Sequence, residues 1–252
     1  LHTSGALSDM SARGIRHISY WQVDNPLVKP FDPLFIGLHA LKEADVSCRA
    51  LEKTGPYEKL GNFCKTEGAV QIIEYSDMPK AYCEARDANG KLRFRMGSPA
   101  IHIFSRDFLA AVAESDCASL PLHRAVKKVP YVTPDGRQVR PEQPNAVKLE
   151  MFIFDILPAA DVVVILEACR REQFAPVKNP SGVDSIESCR ELMQNRAARW
   201  LEEAGIGPPR SEDNSPDCVL ELSPRSFIDK DDVQAQRDRL RPPKQKQKEY
   251  YE

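Results

Sequence analysis

The run VVVILEA, residues 162–168, constrains the fold more than any other stretch of this chain. It is the cleanest strand signal in the sequence: a short, largely β-branched apolar run that follows directly on an acidic residue, Asp161. IRHISYWQV (15–23), VSCRALE (46–52) and AVQIIEY (69–75) also read as strands. PLFIGLHALKEA (33–44) carries the helical period between the first two. An early order of strand, helix, strand predicts an α/β chain with a largely parallel, doubly wound sheet.

Farther along, AIHIF (100–104) reads as a strand and SRDFLAAVAES (105–115) as a helix opened by Ser105. VKLEMFIFDIL (147–157) looks helical, with one buried side. SIESCRELMQNRAARWLEEAG (185–205) is a long amphipathic helix closed by Gly205, and TSGALSDMSARG (3–14) a short helix with Ser4 as a possible cap. Beyond Gly205 the chain turns polar and proline-rich with one apolar island, CVLELS (218–223). Its end, KDDVQAQRDRLRPPKQKQKEYYE, reads as a loose charged helix or tail that buries no core. The expected organisation is therefore a body over residues 1–205 and an appendage over 206–252.

Hydrophobic residues at 42% and charged residues at 29% are the proportions of a globular chain, and a formal charge of −2 offers no global attraction for nucleic acid or an anionic membrane. A phosphate site must therefore be built locally. The most apolar window, residues 151–169, is interrupted by Asp155, Pro158, Asp161 and Glu167 and does not read as a membrane span. Seven cysteines without a C-x-x-C pair suit a reducing cytoplasm and leave no zinc-ligand spacing. The five histidines do not cluster with cysteines or acids, so no catalytic triad is legible, and His102 reads as a core or rim residue.

The chemistry-bearing stretch is WQVDNPLVKPFDP (21–33), where Asp24 and Asn25 follow an apolar run and Pro26, Pro30 and Pro33 stiffen the exit. In open α/β sheets ligands sit beyond the carboxyl ends of strands. A carboxylate there is a ready ligand for Mg²⁺, which takes one or two protein carboxylates and completes its shell with phosphate and water. A cap for the helix starting near Pro33 is the plainer reading of an isolated V-D-N.

Four blocks change that balance: VDNPLVKPFDPLFIG (23–37), EKTGPYEKLGNFCKTEGAVQIIEYSDM (52–78), KKVPYVTPDGRQVRPEQPNAVKLEMFIFDILP (127–158) and REQFAPVKN (171–179). In order and in spacing they resemble the eukaryotic-type UDP-sugar pyrophosphorylases, nearest the UDP-N-acetylglucosamine pyrophosphorylases. The resemblance implies a Rossmann-like nucleotidyltransferase sheet. It implies UTP and a sugar-1-phosphate as substrates, a UDP-sugar and pyrophosphate as products, and Mg²⁺ (or Mn²⁺) as cofactor. Residue by residue, it makes Asp24 the metal-binding carboxylate and Asn25 its orienting neighbour. It sets Gly61 and Glu74 against the sugar and turns Lys178 toward the phosphates. Lys148 is a weaker phosphate candidate, because a lysine on a helix face is usually solvated. At Ser98 the chain departs from the pattern: it reads FRMGSP where the family has F-N-A-G-N, and a hydroxyl lacks the amide's paired donor and acceptor.

A second departure is larger. The family's glycine-rich G-G-x-G-T-R-type nucleotide loop and its uridine-reading segments precede V-D-N, and neither motif occurs in these residues. The sequence thus reads as the C-terminal part of a pyrophosphorylase, expected to be inactive alone. UDP-glucose or broad-specificity UDP-sugar synthesis, or a non-catalytic sugar-phosphate-binding fragment, are the alternatives.

Overall fold

The computed structural model describes residues 1–115 and 120–252. They form a mixed α/β structure that divides into two compact units. One comprises residues 1–18, 34–98 and 102–166; the other comprises 19–33, 99–101 and 167–252.

A seven-stranded sheet is made by strands β1 (His17–Tyr20), β2 (Val46–Glu52), β3 (Gly61–Thr66), β4 (Ala69–Ile73), β5 (Met96–Ser98), β6 (His102–Ser105) and β11 (Val163–Glu167). Their order is β1-β6-β2-β5-β3-β4, with β11 also pairing β2. VSCRALE spans β2 residue for residue, and its first six residues are buried. That run is the centre of the sheet, as its apolarity requires. The expected largely parallel arrangement is corrected here. The β2–β5, β2–β6, β3–β4 and β3–β5 ladders are all antiparallel. For β3 and β4 the physical reason is local: they are joined at Glu67 and Gly68, both at positive φ, so the chain reverses in a hairpin with no crossover helix.

Helices α1 (Ala6–Ala12) and α4 (Arg106–Glu114) and the 3₁₀ helix Ile153–Ala159 join this sheet in a core around Val46, Cys48, Phe104, Phe154, Ile156 and Leu157. The cap expected at Ser4 is absent: Gly5 opens α1, and the Ser4 hydroxyl donates to the Leu1 carbonyl. VKLEMFIFDIL is not one helix. Its first part is β10 (Ala146–Glu150), paired antiparallel with β7 (His123–Lys127), and only from Ile153 does it turn helical. β8 (Tyr131–Val132) and β9 (Gln138–Val139) form the small ladder between them. α2 (Pro33–Leu41) falls on the stretch that carries the helical period, and α3 (Lys80–Glu84) is a short helix between β4 and β5.

The second unit carries α5 (Arg170–Gln173) and α6 (Ile186–Glu203), the latter opened by a capping box between Ser185 and Ser188. The expectation of a tail without a core is overturned. β12 (Val219–Leu222) and β13 (Lys248–Tyr251) pair in parallel, and α7 (Lys230–Ala235) packs against α6. Phe227, Val233 and Tyr251 are buried in one cluster with Trp200, Leu201 and Leu220. Three apolar side chains spread over a polar segment suffice because α6, Ile206, Cys218 and Leu220 supply the rest of the apolar surface.

Among the described residues no helix is long and apolar enough to cross a membrane. Cys48, Cys64, Cys83, Cys169, Cys189 and Cys218 are free thiols; Cys117 lies outside the described residues. His102 is wholly buried, and burial pushes its pKa down to about 4, so it is a neutral core histidine.

Candidate active site

In the second unit, Asp24 and Lys178 lie on two loops that are stitched together by backbone. Val177 N–H donates to the Asp24 carbonyl at 2.9 Å. Asn25 completes the seam: its Nδ2 donates to the Gln173 carbonyl at 2.8 Å, and its Oδ1 accepts from the Ala175 N–H at 3.0 Å and the Leu27 N–H at 3.3 Å. The Asn25 side chain is buried, and its donor and acceptor are both spent on backbone. Through these bonds it ties the backbone at Asp24 and Leu27 to residues 173–175. Leu27, Ala175 and Cys189 close a small apolar cluster beneath it.

The Lys178 loop is closed on itself. Lys178 and Asn179 N–H groups donate to the Asp184 carbonyl, and the Asn179 amide donates to the Val183 carbonyl. α5 is anchored to α6 by Glu172, whose carboxylate accepts from Arg199 Nη2 at 2.8 Å and Trp200 Nε1 at 2.9 Å. Arg196 lies over the Trp200 ring. Lys178 itself is exposed, its Nζ 5.9 Å from the Phe174 ring centroid.

Asp24 is half-buried. Among the described residues there is no group of three or more His, Cys, Asp and Glu able to hold a metal. A lone carboxylate fits Mg²⁺ or Mn²⁺ shared with a phosphorylated substrate; it does not fit a protein-caged ion.

In the first unit three expected residues meet at one corner of the sheet. Gly61 opens β3 directly opposite Ser98, the last residue of β5. Glu74 follows β4, and a Cβ placed on Gly61 would lie 3.8 Å from its Oε2 and only 2.6 Å from Ile72 Cγ2. Gly61 therefore lets β4 side chains approach the strand. Ser98 is buried at this corner. Lys148 is not part of it: the residue sits on β10, not on a helix, and its ammonium pairs with Glu150 at 2.5 Å.

Sequence reasoning missed a second layer behind this corner. Lys53 is buried, and its Nζ donates to Asn62 Oδ1 at 2.5 Å. Asn62 in turn donates to the Leu60 and Ile73 carbonyls, both at 3.4 Å. Burial lowers the pKa of Lys53 from the ordinary lysine value. A lysine just past an apolar strand normally reads as solvated. Only the register that places β5 between β2 and β3 brings Lys53 and Asn62 together.

Residues 1–239 match the family model described as UTP–glucose-1-phosphate uridylyltransferase. The chain is 38% identical over 232 residues to UDP-N-acetylhexosamine pyrophosphorylase-like protein 1 of Xenopus tropicalis, covering 86% of this chain and 45% of that one. It is 34% identical to the UDP-N-acetylglucosamine pyrophosphorylase of Saccharomyces cerevisiae over 78% of this chain and 42% of the yeast protein. The crystal structure of uridine diphosphate N-acetylglucosamine pyrophosphorylase from Trypanosoma brucei superposes with a TM-score of 0.78 at 25% identity, over 98% of this chain and 50% of that one. The chain thus spans about half the length of the relatives it matches.

Proposed function

Because this chain belongs to the UTP–glucose-1-phosphate uridylyltransferase family, we propose that it forms the sugar-side part of an enzyme joining UTP and a sugar-1-phosphate into a UDP-sugar. UDP-N-acetylglucosamine is the first choice of product. The observation that carries this reading is the corner at which Gly61, Ser98 and Glu74 meet, in a chain whose relatives include UDP-N-acetylglucosamine pyrophosphorylases.

In the reaction an oxygen of the sugar-1-phosphate attacks the α-phosphorus of UTP. A new P–O bond forms, the α–β bridging P–O bond breaks, and pyrophosphate leaves. No covalent enzyme intermediate is required, so catalysis consists of positioning and charge neutralisation. Glu74 accepts hydrogen bonds from sugar hydroxyls, and Ser98 offers one more polar contact beside it. Asn25 holds the Asp24 and Lys178 loops in one register, and the Lys178 ammonium faces phosphate. Mg²⁺ or Mn²⁺ on the Asp24 carboxylate supplies neutralisation of phosphate charge when bound.

Ser98 favours a second reading within the class: UDP-glucose or broad-specificity synthesis, because a single hydroxyl discriminates an N-acetyl group less well than an amide. The deciding experiment measures pyrophosphate release from UTP and Mg²⁺ with N-acetylglucosamine-1-phosphate and with glucose-1-phosphate. It is run on the gene product that carries these residues and on the 252-residue chain alone. Turnover with the N-acetylated sugar supports the first reading and a preference for glucose the second. Failure of the gene product with every sugar phosphate, with sugar-phosphate binding retained, would make this a binding module instead. The 252 residues alone are expected to bind without turnover.

A further inference from the structure

His123, the first residue of β7, stands between two carboxylates from different segments. Its Nδ1 lies 2.8 Å from Asp77 Oδ2 and its Nε2 2.9 Å from Asp155 Oδ2. A neutral imidazole has one N–H and one lone pair. With a carboxylate on each nitrogen, a neutral ring would set a lone pair against a carboxylate oxygen on one side. The imidazolium alone donates to both, and each bond is then charge-assisted.

Asp77 is not an isolated partner. Its backbone N–H donates to the Glu74 carbonyl at 3.0 Å, and that of Met78 donates to the same oxygen at 3.1 Å. The turn that carries Glu74 is thus tied at its far end to His123, and through His123 to the 3₁₀ helix bearing Asp155. We propose that His123, as an imidazolium bridging Asp77 and Asp155, is a positioning residue that fixes the Glu74 turn for sugar-phosphate binding. The inference rests on the reading of Glu74 as a sugar contact.

The surroundings favour the cation. Besides Asp77 and Asp155, Glu150 lies directly opposite His123 across the β7–β10 ladder, and Lys148 and Lys127 act in turn on Glu150. The Phe152 ring covers one side of the imidazole, with centroids 4.9 Å apart, and is stacked on Phe154. Partial burial pulls the ring toward neutrality. The hydrogen bonds and charges of Asp77 and Asp155 together outweigh it and hold the pKa above its ordinary value. Because the folded pKa is raised, the clamp is fully formed below about pH 6.5, the ordinary histidine value. It is lost as pH rises through the folded value.

The test has a spectroscopic arm and a kinetic arm. In the ¹⁵N-labelled chain, the ring nitrogens of His123 and the amides of Asp77 and Met78 are followed from acid to mildly alkaline pH. Both ring nitrogens should carry protons below about pH 6.5, the ordinary histidine value, and the two amides should titrate with the ring's own midpoint. His123→Gln should abolish that amide titration. In the gene product it should raise KM for the sugar-1-phosphate about tenfold, the worth of one charge-assisted hydrogen bond, and leave KM for UTP within about twofold. Should His123→Gln fail to fold, Asp155→Asn keeps the ring and one carboxylate and should move the shared midpoint to lower pH. A ring whose midpoint lies below the ordinary histidine value of about 6.5, or amides that ignore the ring, overturns the clamp. Amides that follow the ring while KM for the sugar phosphate stays unchanged overturns the sugar role of Glu74 instead.

Discussion

Asp24 and Ser98 are the two residues at which the proposed chemistry can be tested one side chain at a time. Asp24 is half-buried beside the Lys178 loop, with its backbone carbonyl already committed to Val177. Its carboxylate is therefore free to serve a ligand without loosening the chain. In the gene product, Asp24→Ala should lower kcat by about 10²-fold. Asp24→Asn should be nearly as damaging, because an amide is a poor Mg²⁺ ligand. Steady-state kinetics beside a melting curve decides the matter: a change in Tm alone would make Asp24 a helix cap. Ser98 is the sharper probe of specificity. It is buried opposite Gly61, so an added side-chain amide has a glycine across the ladder. Ser98→Asn should move kcat/KM toward N-acetylglucosamine-1-phosphate over glucose-1-phosphate by about 5- to 150-fold, the worth of one buried polar contact. An unchanged ratio would mean that position 98 does not face the sugar.

At the scale of elements, Asn25 matters more than the Asp24 side chain for keeping the loops together. Asn25→Ala would strand the Gln173 carbonyl and the Ala175 N–H, both otherwise held by one amide. The expected cost is about 1–3 kcal/mol, with a fall in kcat as the Asp24 and Lys178 loops separate. Urea denaturation and turnover measured together check it; a stability loss without a kinetic change would leave Asn25 purely structural. This seam also shows where the sequence is legible and where it is not. VSCRALE and the long α6 helix are readable because burial and amphipathicity mark the residues themselves, and VVVILEA because its β-branched run favours a strand although none of β11 is buried. The Asp24, Gly61, Glu74 and Lys178 candidates came from motif resemblance. Strand direction was not legible: the β3–β4 reversal rests on positive φ at Glu67 and Gly68, and glutamate carries no such signal. VKLEMFIFDIL misled because its alternating strand half and its 3₁₀ half join into an apparent helical period. The His123 contacts join residues far apart in the chain, and the Lys53–Asn62 contact depends on the strand register, so no local pattern announces either.

For the whole molecule, the decisive question is whether the polar end is a passenger or a part of the fold. Composition alone makes residues 230–252 a solvated tail. The structure gives them the last strand of a core that contains Trp200. Tyr251 is 8% exposed, its hydroxyl donates to the Arg241 carbonyl at 2.9 Å, and burial pushes its pKa up to about 12. Removing residues 245–252 deletes this ring and the whole parallel ladder with Val219–Leu222. Loss of one large buried aromatic costs about 3–5 kcal/mol, and the exposed edge of β12 adds to it. The chain has two tryptophans, Trp21 and Trp200, so Trp21→Phe leaves Trp200 fluorescence as a reporter of this core. In that background the truncated chain should lose the Trp200 transition at markedly lower urea than the full chain. Tyr251→Ala should fall between them, while Tyr250→Ala, at an exposed position, should change little. Coincident denaturation curves for truncated and full chains would return the segment to the status of a tail. They would also show that α6, with its own apolar face, holds Trp200 without help from β13.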